Sequence, residues 1–295
     1  MTQLVQLQSV SAELSENGYS LFAISNDPVE ILKDFASKYG ITFPLLSDED
    51  SKVIKSFGIM NQLISPDEGK SMNWYGIAYP GTYYLDSEGV VADKDFHQHH
   101  ARRASGSSVL ARALGNEIET NSDTAQSILS DGVSIKVGIS EPALRLEMIS
   151  QLIVDIDIPE GMHAYAAGAP EAFTPISLKV EGEGIRLGET QWPASTDLHM
   201  PELDLTAPTY FDKVRVIVPI TVTSEKIRLG HEIADSLQFS VTASFQLCNE
   251  TACDLPQQAT VAMSVPLKRL VEPEGLQTYV NRVEAIEAES GKEVR

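Results

Sequence analysis

The chain has 295 residues, 42% of them hydrophobic and 22% charged, with a net charge of −20 at pH 7. That length predicts two domains, and the apolar content argues against a disordered chain. The negative balance repels phosphate backbones and anionic lipid, which argues against nucleic-acid and membrane-surface partners, and solubility explains most of it.

Leu4, Leu7, Val10 and Leu14 recur at helical spacing, and Gly18 follows as a stop. YSLFAIS reads as a short buried strand. SNDPVEILKDFASKYG predicts a helix with Asp27 as cap, Pro28 at the first helical position, Glu30 completing a capping box and Gly40 at the end. ITFPLL is another extended run. SDEDSKVIKSFG repeats the cap, helix and glycine order, with Ser47 or Asp48 as cap. YPGTYYLDSEGVVADKDFH predicts a hairpin: a strand to Leu85, a turn at DSEG and a strand from Val90. SSVLARALGNEIE predicts a last short helix. This alternation indicates an α/β layer domain over residues 1–118. EIETNSDTAQSILSD is polar without a strong period, which places a linker at 119–131.

From residue 132 the period changes. LQFSVTASFQL puts Leu237, Phe239, Val241, Ala243, Phe245 and Leu247 on one face, and QATVAMSV does the same with Ala259, Val261, Met263 and Val265. VSIKVGI, SQLIVDIDIP, PISLKVEG and KVRVIVPITVT are further strand candidates, so residues 132–268 read as an all-β sandwich. EPEGLQTYVNRVEAIEAES returns to helical spacing and predicts an amphipathic helix within 269–295. No stretch approaches the roughly 20 apolar residues of a membrane span. The opening MTQLVQLQSVSAEL lacks the basic and apolar regions of a secretory signal.

Both cysteines lie in SFQLCNETACDLPQQATV, as Cys248 and Cys253. Extending the alternation from Phe245 places Cys248 with Gln246, off the apolar face, where a reactive thiolate would be accessible. Closing so short a loop stabilises by only about 2 kcal/mol, a weak reason to keep a bridge. The residues themselves leave a redox pair and a structural clip both open, and two cysteines do not fix the compartment. FHQHHARR groups His97, His99 and His100, a weak metal candidate because no carboxylate or thiol completes it and Arg102 and Arg103 oppose a cation. SDEDS suits helix capping better than a hard cation. Trp74 and Tyr75 read as packing under a loop. No motif calls for a cofactor.

GYSLFAISNDPVEILKDFASKYGITFPLLSDEDSKVIKSFGI and AYPGTYYLDSEGVV resemble the AhpC/TSA redoxins, peroxiredoxin relatives with a thioredoxin-like fold, over about the first 115 residues. The resemblance implies a cis-proline at Pro80, beside Tyr79, presenting backbone to a bound partner. Such domains carry a reactive cysteine at the N-terminus of the helix that corresponds to residues 3–17, where the helix dipole favours the thiolate. Here the first domain has no cysteine and no preceding strand: either the chain starts late or the chemistry is lost. A missing strand predicts a gap in the sheet, filled by a neighbouring segment or a second copy.

FQLCNETACDLPQQATVAMSVPL, VDIDIPEGMHAYAAGAPEAFTPISLKV and FDKVRVIVPITV resemble the N-terminal periplasmic domain of DsbD-type thiol:disulfide interchange proteins over roughly residues 130–268. This implies an immunoglobulin-like sandwich whose Cys248/Cys253 pair passes electrons from a membrane or thioredoxin-like donor to a thiol or disulfide protein partner. His163 and Tyr165 match the family's turn motif as packing residues. The reading is a thiol–disulfide exchange protein. Its rivals are a non-catalytic scaffold with a structural disulfide, and a peroxiredoxin or reductase whose cysteine precedes residue 1. The location is periplasmic if a signal lies upstream and cytoplasmic otherwise.

Overall fold

The apolar stripe of the first segment forms helix α1 (Thr2–Glu16), with Leu7 and Leu14 buried. Gly18 ends it at φ 84°, a left-handed conformation that glycine adopts without steric cost. This is a computed structural model, and it describes residues 2–67, 75–99, 102–201, 204–223 and 235–268. The helix expected within 269–295, together with Trp74 and His100, lies outside the described residues.

Strands β1 (Ala23–Ser25) and β2 (Leu45–Ser47) pair in parallel, Ala23 opposite Leu45. Helix α2 (Val29–Tyr39) between them starts one residue later than expected. Pro28 takes the N-cap position with extended ψ, no side chain caps it, and the Asp27 carbonyl accepts from Ser47 Oγ at 2.7 Å. Gly40 closes the helix at φ 64°. Asp48 does cap α3 (Lys52–Ser56), accepting from the N–H groups of Val53 and Ile54 at 3.1 and 2.9 Å. β3 (Gly81–Leu85) and β4 (Val91–Phe96) form the expected hairpin, its turn held by Asp86 Oδ1 accepting from Glu88 and Val90 N–H. Helix α4 (Gly106–Leu114) is capped by Ser105 and packs on α1. A Cβ on Gly106 would meet the Gln6 carbonyl oxygen at 2.7 Å, so glycine permits that contact. Among the described residues the two strand pairs are separate sheets. Ile24 and Leu46, opposite one another, stay exposed on the outer face.

Every peptide bond among the described residues is trans, which corrects the expectation of a cis-proline at Pro80. Pro80 stands just ahead of β3, where its missing N–H breaks no ladder, and its carbonyl accepts from His97 N–H at 2.8 Å.

The rest is mostly β. After β5 (Arg103–Ala104), the strands are β6 (Gln126–Ser130), β7 (Val133–Ile139), β8 (Leu144–Arg145), β9 (Met148–Asp157), β10 (His163–Tyr165), β11 (Ser177–Glu181), β12 (Ile185–Leu187), β13 (Thr196–Met200), β14 (Leu205–Tyr210), β15 (Lys213–Val222), β16 (Ser236–Phe245), β17 (Leu247–Cys248) and β18 (Gln257–Lys268). One sheet runs β12-β15-β9-β7-β6, with β5 also on β9; a second runs β11-β16-β18-β8 and a third β13-β14-β10-β17. Side chains of β7, β9 and β15 share one core with those of β16 and β18, a sandwich-like arrangement. The alternating residues of β16 and β18 point into that core as their period requires.

The polar stretch at 119–131 is not irregular throughout. β6 pairs antiparallel with β7, and the buried Thr124 hydroxyl donates to the Ile139 carbonyl and accepts from its N–H. β6 is an edge strand with an open outer side, which removes the apolar signal. The α/β module is tied to the β module by the parallel pairing of β5 with β9, by Ser105 N–H on the Ile149 carbonyl, and by Ser107 Oγ on Glu141.

Candidate functional site

Phe245 is the last residue of β16 and faces the main core. Gln246 then bridges two loops: its Oε1 accepts from Thr174 N–H at 2.8 Å and its Nε2 donates to the Asp254 carbonyl at 2.9 Å. Past it the chain changes sheets and pairs as β17 with β10, Leu247 opposite Ala164 and Cys248 opposite His163. Leu247 stays in the main core, while Cys248 joins Tyr165 and Ala207 in a separate small cluster. Cys248 is therefore only 1% exposed, which corrects the expectation of an accessible thiol at this position. The two-residue count fails because the strand breaks at Gln246.

Cys248 and Cys253 form a disulfide, with Cα atoms 4.0 Å apart. The intervening loop is fixed by its own polar groups. Asn249 N–H donates to the Ala252 carbonyl, Asn249 Oδ1 accepts from the N–H groups of Thr251 and Ala252, and Asp254 N–H donates to the Leu247 carbonyl. Cys253 is exposed, and Leu255, two residues on, is 84% exposed. The bond thus joins a sheltered residue to an open one.

Aromatic residues roof the sheltered side. Tyr165 stacks on Phe173 with ring centroids 4.1 Å apart, and its hydroxyl donates to Met200 Sδ at 3.6 Å. His163 meets Tyr165 edge-on at 5.3 Å and leans on Phe211 at 5.8 Å. Burial pushes the His163 imidazole down and the Tyr165 phenol up from their ordinary values, so both are neutral at pH 7. The turn motif supplied His163 and Tyr165. Phe173, Met200, Ala207 and Phe211 were not legible, since they come from loops and short strands too polar to show a period.

Tyr79 and Pro80 sit in the α/β module ahead of β3. Tyr79 donates its N–H to the Ile59 carbonyl and accepts from Gln62 N–H through its hydroxyl; Pro80 is buried. His97 and His99 do not share one side of a strand, because β4 ends at Phe96. His97 Nε2 lies 3.5 Å from Asp95 Oδ2, and among the described residues no group of three or more ligating side chains could hold a metal. No helix among the described residues is long and apolar enough to cross a membrane.

Residues 147–265 match the N-terminal domain of thiol:disulfide interchange protein DsbD. Residues 1–94 match the AhpC/TSA family. The first match contains the disulfide, His163 and Tyr165; the second contains no cysteine. The putative peroxiredoxin bcp of Coxiella burnetii is 33% identical over 89 residues, 29% of this chain and 53% of that protein. Chloroplastic peroxiredoxin Q of Sedum lineare is 39% identical over 74 residues, 25% of this chain and 34% of that protein. The chain thus spans about half of the first relative and a third of the second. Among solved structures, the N-terminal periplasmic domain of ScsB from Proteus mirabilis covers 54% of this chain and 57% of its own, at 9% identity and a TM-score of 0.34. The reduced Neisseria meningitidis DsbD N-terminal domain covers 39% and 77%, at 14% identity and a TM-score of 0.27. An AhpC/TSA redoxin module followed by a DsbD-type module carrying a cysteine pair supports thiol–disulfide redox function.

Proposed function

We propose that this chain passes electrons between protein partners through the Cys248–Cys253 pair of an immunoglobulin-like sandwich, while the α/β module binds the partner near Tyr79 and Pro80. The observation that carries the reading is the asymmetry of the disulfide: Cys253 is open, Cys248 is 1% exposed. Exchange needs one sulfur in reach of a partner and one that resolves the mixed disulfide.

In the oxidising direction for this chain, the Cys253 thiolate attacks a partner disulfide. The partner's S–S bond breaks, and its leaving sulfur takes a proton from water. Cys248 then loses its proton to water and attacks Cys253 Sγ, which releases the second partner sulfur. Two electrons pass to the partner and the Cys248–Cys253 bond re-forms. A thioredoxin-like dithiol recharges the pair by the reverse steps. The exposed Ile24 and Leu46 support a homo-oligomer in which a second copy covers that face.

A structural clip is the second reading, and the burial of Cys248 favours it. One titration separates the two. The full chain is equilibrated in glutathione buffers of graded potential, and its thiols are trapped and counted by mass. A midpoint above about −300 mV is expected for an exchanging pair; a midpoint well below that value supports the clip.

A further inference from the structure

Cys248 stands between two partners in register. His163 lies opposite it on β10, and Cys253 pairs with it as an antiparallel bridge on its other side. Residues directly opposite one another in an antiparallel ladder put their side chains on the same face, with Cβ atoms about 4.5–5.5 Å apart. The burial agrees with that placement. Tyr165, two residues beyond His163, shares the small cluster with Cys248, while Ala164 and Leu247 face the main core. The imidazole of His163 is therefore a direct neighbour of the sheltered sulfur.

To attack Cys253 Sγ, Cys248 must lose a proton, and at 1% exposure it has little access to water; His163 is 7% exposed. The hydrogen bonds fix which ring nitrogen can take that proton. His163 Nε2 lies 3.5 Å from the Tyr165 hydroxyl, and that hydroxyl donates to Met200 Sδ. With its own proton spent on Met200, the tyrosine oxygen accepts from Nε2–H, which leaves the lone pair on Nδ1. Nδ1 is the ring nitrogen nearer the backbone, on the side a short residue directly opposite can reach. The groups that face the imidazole are Tyr165 on its own strand, Cys248 on β17 and Phe211 beyond β14. Glu160, Asp212, Glu250 and Asp254, in the adjoining loops, are exposed. Burial is what holds the imidazole below its ordinary value, so it is neutral at pH 7.

We propose that His163 is the base of the resolving step: its Nδ1 takes the Cys248 proton as Cys248 attacks Cys253 Sγ. The proposal rests on the reading that the Cys248–Cys253 pair exchanges electrons. The Cys248 S–H bond breaks, and its electron pair forms the bond to Cys253 Sγ. The bond between Cys253 Sγ and the partner breaks, and the partner sulfur leaves with that pair. Cys248 is oxidised and the partner reduced. His163 then passes the proton on to water. When a donor dithiol recharges the pair, the imidazolium returns a proton to Cys248 as it leaves. Such proton transfers typically contribute about 10²–10⁴-fold to a rate.

The test mixes the reduced full chain with dithiobis(nitrobenzoate) in a stopped-flow instrument and follows the coloured thiolate. Attack by Cys253 releases one equivalent at a rate set by reagent concentration. Attack by Cys248 releases a second at a rate independent of it. In the unaltered chain the second rate should stay nearly flat between pH 6.5 and pH 8, because the base is already neutral there. Without a base it rises about tenfold per pH unit, following the thiolate fraction below a thiol pKa of about 8.5. At pH 7 the ratio of the second rate to the first should fall at least about tenfold in His163→Phe. His163→Gln, which can still bond Tyr165 but accepts no proton, should fall equally. A second rate in the unaltered chain that climbs tenfold per unit, or either variant as fast as the unaltered chain, overturns the proposal and leaves electron exchange standing. A single release at every pH overturns both. The unaltered chain's profile decides even if neither variant folds.

Discussion

Cys248 and Cys253 are five positions apart in the chain and differ most in what surrounds them. Once the bond is reduced, that difference becomes measurable. Iodoacetamide should modify Cys253 at least about tenfold faster than Cys248, since alkylation needs an accessible thiolate. Equal rates by peptide mass mapping would contradict the asymmetry. His163, opposite Cys248, titrates the same surroundings. Burial holds it below its ordinary value of 6.5, so the unfolded chain binds its proton more tightly than the fold does. Stability from this group is complete above pH 6.5 and declines as pH falls below it. The urea midpoint should be lower at pH 5.5 than at pH 8, and His163→Phe should flatten that difference.

At the scale of elements, β9 and β15 are locked by a cross-strand pair. Asp155 lies opposite Arg215 and accepts from its Nε and Nη2 at 2.7 and 3.0 Å. Burial pushes the Asp155 carboxyl up, but the hydrogen bonds and charge of Arg215, with Lys213, outweigh it and hold the group below its ordinary 3.8. This stabilisation is present above pH 3.8 and is lost as pH falls through the lower folded value. Arg215→Ala leaves the buried carboxylate with Lys213 at 3.5 Å as its ion-pair partner and Lys136 opposite it on β7, and should cost about 2–3 kcal/mol, allowing for partial solvent exposure. Chemical denaturation at pH 7 measures it. The α1–α4 contact rests on Gly106 in the same way. Gly106→Ala should cost about 1–3 kcal/mol in thermal unfolding, because its methyl group meets the backbone of α1. The long strands were legible because Phe239, Val241 and Ala243, or Val261, Met263 and Val265, repeat every second residue. β10, β13 and β17 were not, because runs of two to five residues are too short to show a period.

For the whole molecule, charge governs encounters. The net charge is −20, and Glu250 and Asp254 flank the open cysteine. Electrostatic steering favours a partner with a basic face and weakens with salt. Cystamine, a dication, should therefore oxidise the reduced pair faster than the anionic oxidised glutathione. The two rates should converge near 1 M salt, where the screening length falls to about 3 Å. A preference that survives high salt would assign the selectivity to contact rather than to charge.

The sequence by itself determined the change from α/β to β organisation, the faces of the long strands, the helix stops and the segment that holds the cysteines. These follow from local periods and from residues with restricted backbone geometry. Tertiary structure alone decided that Cys248 is buried, that Pro80 is trans, that the polar stretch after α4 holds an edge strand, and that His163 stands opposite Cys248. Each depends on a partner far away in the chain, and the sheet change at Gln246 leaves no trace in a two-residue period.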